Sequence, residues 1–348
     1  MKVAIFGSGA MGTVLGAFMT KNGCQVELVD NYKAHVEELN RNGAHIVGTV
    51  DMRVPVKAIF PEQMEGIYDV IFLFTKQLAN DKVLPELCKH LDENSTVCTL
   101  QNGVPEPFVA QYVGEKRTVG GTVLWGATFV EPGVSELTQD ITKSDHLFEI
   151  GEIDGTVGDR IKKVASLLEY MGPTKVTDGL MDSRWCKLVN NACMSGMSAA
   201  CGCTFGEVLD NPVSRACLSY IGREVKLCCE AEGHHLVELL GVVGRADCLA
   251  LRDQEEFDAS QRMFLEMYEG LRPAKASMLQ DLEHGRLTEV RMINGYVCQT
   301  GDKHGIDTPF NDKVVEIVEK IGKGELGLSM DNLKLFDPGL FVFRNYEA

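Results

Sequence analysis

At 348 residues the chain is long enough for two domains, each with its own core. Hydrophobic residues at 45% and charged residues at 24% are the balance of a water-soluble globular protein, and no apolar run is long enough to span a bilayer. A net charge of −16 opposes a nucleic-acid partner, because a diffuse negative field repels a phosphate backbone. An anionic small substrate would therefore have to be met by local cations.

Lys2-Val3-Ala4-Ile5-Phe6 is a short β-branched and apolar run that reads as a buried strand. It leads into Gly7-Ser8-Gly9-Ala10-Met11-Gly12, a helical pattern over Met11–Met19, and a second strand over Gln25–Val29 that ends on Asp30. A strand, a glycine turn, a helix and a strand with a terminal acid form the full context of a dinucleotide-binding unit. Gly7 allows the tight turn, Gly9 lets backbone approach a pyrophosphate, and Gly12 lets the helix pack against the strand. Ser8, Ala10 and Met11 complete the phosphate loop, whose helix offers its N-terminal N–H groups to the phosphates. The basic second position and apolar middle resemble a signal peptide, but the dinucleotide motif accounts for the same residues better. Asp30 is placed to accept hydrogen bonds from the adenosine ribose hydroxyls and to repel a 2′-phosphate. Asn31, Tyr32 and Lys33 follow it without an arginine. NAD(H) is therefore favoured over NADP(H), with Lys33 the one nearby cation that could pair with a phosphate.

Helical periodicity resumes at Lys33–Asn40, and Ala44–Val47 reads as a strand. Asp69–Phe74 is another buried strand with Lys76 just past its end. Leu78–His90 reads as a helix, Thr96–Leu100 as a strand, Gln101-Asn102-Gly103 as a turn, and Val119–Leu124 as a further strand. This alternation predicts an α/β fold, an N-terminal Rossmann-type doubly wound parallel sheet. Ligands of such sheets lie beyond the carboxyl ends of the strands, which gathers Gly7–Gly12, Lys76 and Asn102 at one edge. A hairpin is expected around Glu131-Pro132-Gly133, then a strand at Leu147–Ile150 and a helix at Gly158–Tyr170. Val176–Asp178 closes a first domain at 1–178. The second domain, 179–348, is expected to be all-α, with helical patterns at Met181–Ala200, Pro212–Gly233, Gly285–His304 and Asn311–Lys320, and an interrupted one through 235–272. The tail from Asp331 to Ala348 is not periodic and either docks on the body or mediates assembly, a homodimer being one expected form.

The twelve cysteines contain no Cys-x-x-Cys pair, and Cys201-Gly202-Cys203 has no accompanying histidine or second pair, so no metal site is expected. Without a secretory signal they read as reduced, buried apolar residues of a cytoplasmic protein. Lys187, Asn191 and Ser195 fall at i, i+4 and i+8 of one helix and are expected to share a face. Ser277 and Glu289 follow in later helical segments. Each has a plain alternative taken singly: Lys187 as an exposed helix lysine, Glu289 as a surface ion-pair partner.

Taken together, GSGAMG at 7–12, FTK at 74–76, QNG at 101–103, RWCKLVNN at 184–191, SMLQDLEHGRLTE at 277–289 and ING at 293–295 resemble the ketopantoate reductase (2-dehydropantoate 2-reductase) family over nearly the full length. The resemblance implies that Lys187 is the general acid, giving a proton to the substrate carbonyl as hydride arrives from the nicotinamide. It implies that Lys76 and Asn102 contact the cofactor, with Asn102 also aligning substrate, and that Gly126 is a further cofactor-contacting backbone position. Asn191 and Ser277 would hold the substrate, and Glu289 would sit by the ribose or Lys187. Two positions depart from the family pattern: Ser195 and Phe205 stand where asparagines are found. With Asp30 they lean toward NAD-dependent D-2-hydroxyacid dehydrogenases of branched or aromatic 2-oxo acids, kept as the alternative to ketopantoate reduction. The joint presence of Lys187, Asn102, Asn191, Ser277 and Glu289 argues against a dinucleotide sensor that has lost catalysis.

Overall fold

The computed structural model describes residues 1–239 and 242–346, and the chain divides into two units, Met1–Leu180 and Met181–Ala348. In chain order the first unit contains β1 (Val3–Phe6), α1 (Ala10–Lys21), β2 (Val26–Val29), α2 (Lys33–Asn42), β3 (Ala44–Gly48), β4 (Met52–Val54), β5 (Lys57–Ile59), β6 (Val70–Leu73) and α3 (Asn80–Cys88). It continues with β7 (Thr96–Thr99), α4 (Glu106–Val113), β8 (Thr118–Val123), β9 (Ala127–Glu131), β10 (Val134–Leu137), β11 (Phe148–Glu152), α5 (Asp159–Leu168) and β12 (Thr174–Val176).

The main sheet has the order β12-β11-β8-β7-β6-β1-β2-β5. β1 and β6, Val-Ala-Ile-Phe and Val-Ile-Phe-Leu, are buried at every position, because both faces of the sheet are covered. Alternate residues serve opposite layers. Val3 and Ile5 join the core under α1 and α5, while Ala4 and Phe6 join the one under α3 and α4. Strands β5, β2, β1, β6, β7 and β8 are mutually parallel, in the order of a dinucleotide-binding sheet whose connections change direction beside β1.

Three features depart from the sequence reading. β3 is a strand but leaves the main sheet: Gly43 turns at φ 77°, and β3 pairs with β4 and β10 in a second sheet of order β4-β3-β10-β9. Its neighbour β10 is the second arm of the hairpin expected around Gly133. The third strand of the main sheet is β5 instead, only three residues long and closely preceded by Pro55. The sheet is also not wholly parallel, since β11 runs antiparallel to β8.

The second unit carries α6 (Leu180–Asn190), a π turn at Asn191–Ser195, α7 (Gly196–Cys201), α8 (Phe205–Asp210), α9 (Pro212–Ala231), α10 (Gln254–Tyr268), α11 (Ser277–Glu283), α12 (Asn294–His304) and α13 (Pro309–Gly322). α9 is the axis on which α8, α10, α12, α13 and the π turn pack. Its start is set by Pro212 at the first helical position and by Asn211, whose Oδ1 accepts the N–H groups of Val213 at 2.9 Å and Ser214 at 3.2 Å. The interrupted pattern through 235–272 resolves into a short antiparallel strand pair (Glu238–Leu239 with Val242–Val243), a 3₁₀ turn and α10; residues 240 and 241 lie outside the described residues. The helix expected over Gly285–His304 begins only at Asn294, after a 3₁₀ turn at Val290–Met292. The tail docks within its own unit as far as residue 346, the last two residues of the chain lying outside the described ones. Phe341 packs edge-on to Tyr220 and Phe310, and the Tyr220 hydroxyl donates to the Phe343 carbonyl at 2.9 Å.

Candidate active site

In the first unit β1, β6, β7 and β8 run parallel, so the residues that follow them emerge at one edge. Gly7 follows β1, Lys76 follows β6, Asn102 follows β7, Gly126 follows β8, and Asp30 follows the neighbouring β2. The three loop glycines are glycine for different reasons. Gly7 has φ 98°, and a Cβ there would stand 2.5 Å from the Thr75 nitrogen. A Cβ on Gly12 would stand 2.3 Å from the Gly7 carbonyl oxygen. A Cβ on Gly9 would meet no atom of the described residues within 4 Å, so there the space is open, as close approach of a pyrophosphate requires. Ser8 is buried with its hydroxyl unpartnered among the described residues, and α1, capped by Gly9, has no acidic residue in its first turn to oppose an anion. These residues fit a dinucleotide.

Asp30 is held in an Asx turn, its Oδ1 accepting the Tyr32 N–H at 2.9 Å, while its own N–H donates to the Ile59 carbonyl at 3.2 Å. Lys33 pairs with Glu37 at 3.7 Å along α2. The loops bearing Lys76 and Asn102 are joined by Gln101, whose side-chain amide donates to the Thr75 carbonyl at 2.6 Å and to Asn80 Oδ1 at 2.7 Å. Lys76 and Asn102 are themselves exposed. The Gly126 carbonyl accepts the Thr138 N–H at 3.1 Å.

In the second unit Lys187 lies on α6, one turn after the fully buried Arg184. Burial, with Arg184 adding to it, pushes the Lys187 ammonium down to about 8. A straight α-helix advances about 100° per residue, so a residue at i+8 lies about 80° round from i. Ser195 would then drift off the Lys187 stripe. The π turn at Asn191–Ser195 bonds i to i+5 and winds less per residue, which brings Ser195 back toward that stripe. Asn191 and Ser195 are the two partly exposed residues of the turn, and Ala192, Cys193 and Met194 between them are buried.

A polar chain secures this turn. Asn294 Nδ2 donates to the Ala192 carbonyl at 3.0 Å and to Asn311 Oδ1 at 2.9 Å. Asn311 Nδ2 donates to Glu224 Oε2 at 2.7 Å, and the Glu224 carboxylate also accepts the N–H groups of Phe310 and Asn311, each at 2.9 Å. Burial nonetheless pushes Glu224 up to about 7. Glu289 is buried, and its carbonyl accepts from Met292 at 2.8 Å at the head of the segment that delivers Asn294. Ser277 opens α11 and is exposed, next to Ala276, whose N–H donates to Ser198 on α7 at 3.5 Å. Phe205 lies edge-on to Tyr268, ring centroids 5.7 Å apart, and the Tyr268 hydroxyl donates to Asn190 at 3.0 Å.

Residues 3–153 match the family described as ketopantoate reductase PanE/ApbA, and residues 179–322 match its C-terminal family. A 2-dehydropantoate 2-reductase of Streptococcus pyogenes serotype M6 is 29% identical over 323 residues, 91% of this chain and 97% of the relative. One from Archaeoglobus fulgidus is 28% identical over 325 residues, 93% and 98% of the two chains. The chain belongs to the ketopantoate reductase family. Its members are nicotinamide-dinucleotide oxidoreductases acting on CH–OH groups. Among solved structures, 2-dehydropantoate 2-reductase from Geobacter metallireducens superposes with a TM-score of 0.75 at 26% identity, covering 92% of this chain and 99% of that one. D-mandelate dehydrogenase with NADH and anilino(oxo)acetate superposes at 0.79 and 23% identity, covering 93% and 99%, which speaks for the fold alone.

Sequence reasoning about this ketopantoate reductase relative missed the supports of its site. Gln101 was visible only within a turn and a motif, and Asn294 only as part of a motif. Glu224 and Asn311, distant in sequence from both, carried no local signal.

Proposed function

We propose that the protein reduces a 2-oxo acid to a D-2-hydroxy acid with NADH, ketopantoate to pantoate being its first substrate. The observation that carries this reading is Lys187: a desolvated ammonium, pushed down to about 8, on a helical stripe with Asn191 and Ser195. Bound reduced nicotinamide supplies the hydride. Lys187 stabilises the alkoxide that develops on the substrate oxygen and delivers the proton to it. Asn191 holds the substrate by hydrogen bonds, Ser277 binds its carboxylate or carbonyl, and Ser195 engages it toward the distal hydroxyl. Asn102 and Lys76 align cofactor and substrate, Gly126 offers backbone to the cofactor, and Glu289 orients the ribose or the lysine. Such an enzyme works in the cytoplasm, where its twelve free cysteines stay reduced.

The second reading, an NAD-dependent D-2-hydroxyacid dehydrogenase for branched or aromatic 2-oxo acids, draws on Phe205 and Ser195. An apolar ring on Tyr268 and a short hydroxyl offer a distal substrate hydroxyl fewer partners than two amides would. The test is kcat/KM for ketopantoate against 2-oxoisovalerate, which differ chiefly by a hydroxymethyl group, each with NADH and NADPH. A higher value for ketopantoate supports the first reading and a higher value for 2-oxoisovalerate the second. NADH binding without turnover of any 2-oxo acid contradicts both.

For the cofactor, the Asx turn holds the Asp30 carboxylate at the end of β2, and Lys33, three residues on, is engaged with Glu37. Asp30→Ala is expected to narrow the NADH preference by about tenfold, the loss of one charged hydrogen-bonding partner. Steady-state KM values for NADH and NADPH check this, and a wild type that prefers NADPH contradicts it.

A further inference from the structure

The geometry points to His35 as a positioning residue that keeps the glycine loop in its cofactor-receiving form, a role resting on dinucleotide binding and not on which 2-oxo acid is reduced. His35 lies on α2, only 1% exposed, and the dinucleotide motif does not include it. Its Nδ1 accepts the backbone N–H of Gly133 at 2.9 Å. A backbone N–H only donates, so Nδ1 bears no proton, and the neutral ring carries its hydrogen on Nε2. Nε2 lies 2.7 Å from the Ser8 carbonyl oxygen and donates to it. Thr13 Oγ1 donates to the same oxygen at 2.6 Å. Burial lowers the affinity of the imidazole for a second proton, against the opposing pull of Asp30, which keeps this arrangement in place.

Two donors thus draw the Ser8 carbonyl inward. In a trans peptide the carbonyl and the following N–H point in opposite directions, so the Gly9 N–H is turned outward. A Cβ on the same residue would meet no atom of the described residues within 4 Å, so the space beside Gly9 is open. An outward N–H at this position is what a pyrophosphate oxygen accepts from. The ring is itself clamped, edge-on to Phe129 at 5.1 Å and stacked on Tyr32 at 6.5 Å. Its other nitrogen fastens it to the turn between β9 and β10, whose Gly133 carbonyl accepts the His45 N–H at 2.8 Å. The second sheet therefore acts as a buttress for the phosphate loop. That gives a function to the excursion of β3 out of the main sheet.

The two ring nitrogens can be removed separately. Asparagine places an acceptor near the Nδ1 position and nothing at Nε2, whereas glutamine carries an amide donor out to the Nε2 position. The measurements are the NADH dissociation constant by fluorescence titration, kcat and KM for NADH, and the thermal midpoint. His35→Asn is expected to weaken NADH binding about three- to tenfold, one hydrogen bond's worth, with kcat at saturating NADH retained. His35→Gln is expected to bind within about twofold of wild type and to show its loss in the thermal midpoint, because Gly133 then lacks its acceptor. Thr13→Val, which removes the other donor to Ser8, is expected to weaken NADH binding as His35→Asn does, and it carries the test if His35→Asn does not fold. Folded His35→Asn or Thr13→Val protein that binds NADH as tightly as wild type overturns the proposal. So does equal weakening by asparagine and glutamine, which would mark His35 as packing only. Wild-type protein that fails to bind NADH would instead overturn the dinucleotide reading beneath it.

Discussion

Replacing Lys187 with alanine is expected to lower kcat for 2-oxo acid reduction by about two to four orders of magnitude, the usual contribution of a positioned general acid. The NADH dissociation constant should change little, because the residue acts on the substrate oxygen. The expectation follows from where the lysine sits. Burial beside Arg184 pushes its ammonium down to about 8, so it gives up a proton far more readily than a surface lysine does. The same shift fixes the pH dependence. The folded-state value is depressed, so the acid form is full below about 8 and is lost as pH rises through it. Reduction should therefore fall about tenfold per pH unit above that point, while oxidation of the hydroxy acid, which needs the free amine, should rise through the same range. Initial rates in both directions across the alkaline limb check it. A reduction rate that stays flat to the alkaline limit of folding, or an unchanged kcat in Lys187→Ala, removes the lysine from the acid's role.

The second large effect separates two glycines of one loop. Gly7→Ala is expected to damage the fold, because φ 98° is costly for alanine and its Cβ would stand 2.5 Å from the Thr75 nitrogen and 2.8 Å from the Phe74 carbonyl carbon. The backbone conformation alone costs about 1–3 kcal/mol, and the overlap with backbone adds to it. The thermal midpoint should fall by several degrees, and NADH binding should be lost with it. Gly9→Ala is expected to do the reverse. Its added methyl meets no atom of the described residues within 4 Å, so the midpoint should hold. NADH should nonetheless bind at least about tenfold more weakly, because the methyl takes the space that a pyrophosphate needs. Thermal unfolding and NADH titration of the two variants give the comparison. A destabilised Gly9→Ala, or one that binds NADH normally, contradicts this account of the loop.

What could be read from the sequence was what local pattern controls. The unit from Lys2 to Asp30 was legible because the strand, the glycines and the helix each leave a mark within a few residues. The hairpin at Gly133 was legible for the same reason. The destination of β3 was not, since Ala44–Gly48 looks the same whether it adds to the main sheet or pairs with β10, nearly ninety residues on. The true third strand, β5, is too short and too close to Pro55 to show a period. In the second unit the helical stripe of Lys187, Asn191 and Ser195 was read as simple periodicity. Over eight residues that periodicity needs the π turn, and the turn is secured by Asn294, Asn311 and Glu224 from three other helices. The tail was illegible because it docks through single rings, Phe336 and Phe341, rather than through a repeating face.

The measurement that bears most directly on the whole account is the fate of hydride. With NADH deuterated at the transferring position of nicotinamide C4, and with ketopantoate or 2-oxoisovalerate as acceptor, deuterium should appear at C2 of a D-2-hydroxy acid in step with NADH oxidation. Oxidation of NADH without deuterium at C2, or no turnover of either 2-oxo acid, would contradict it.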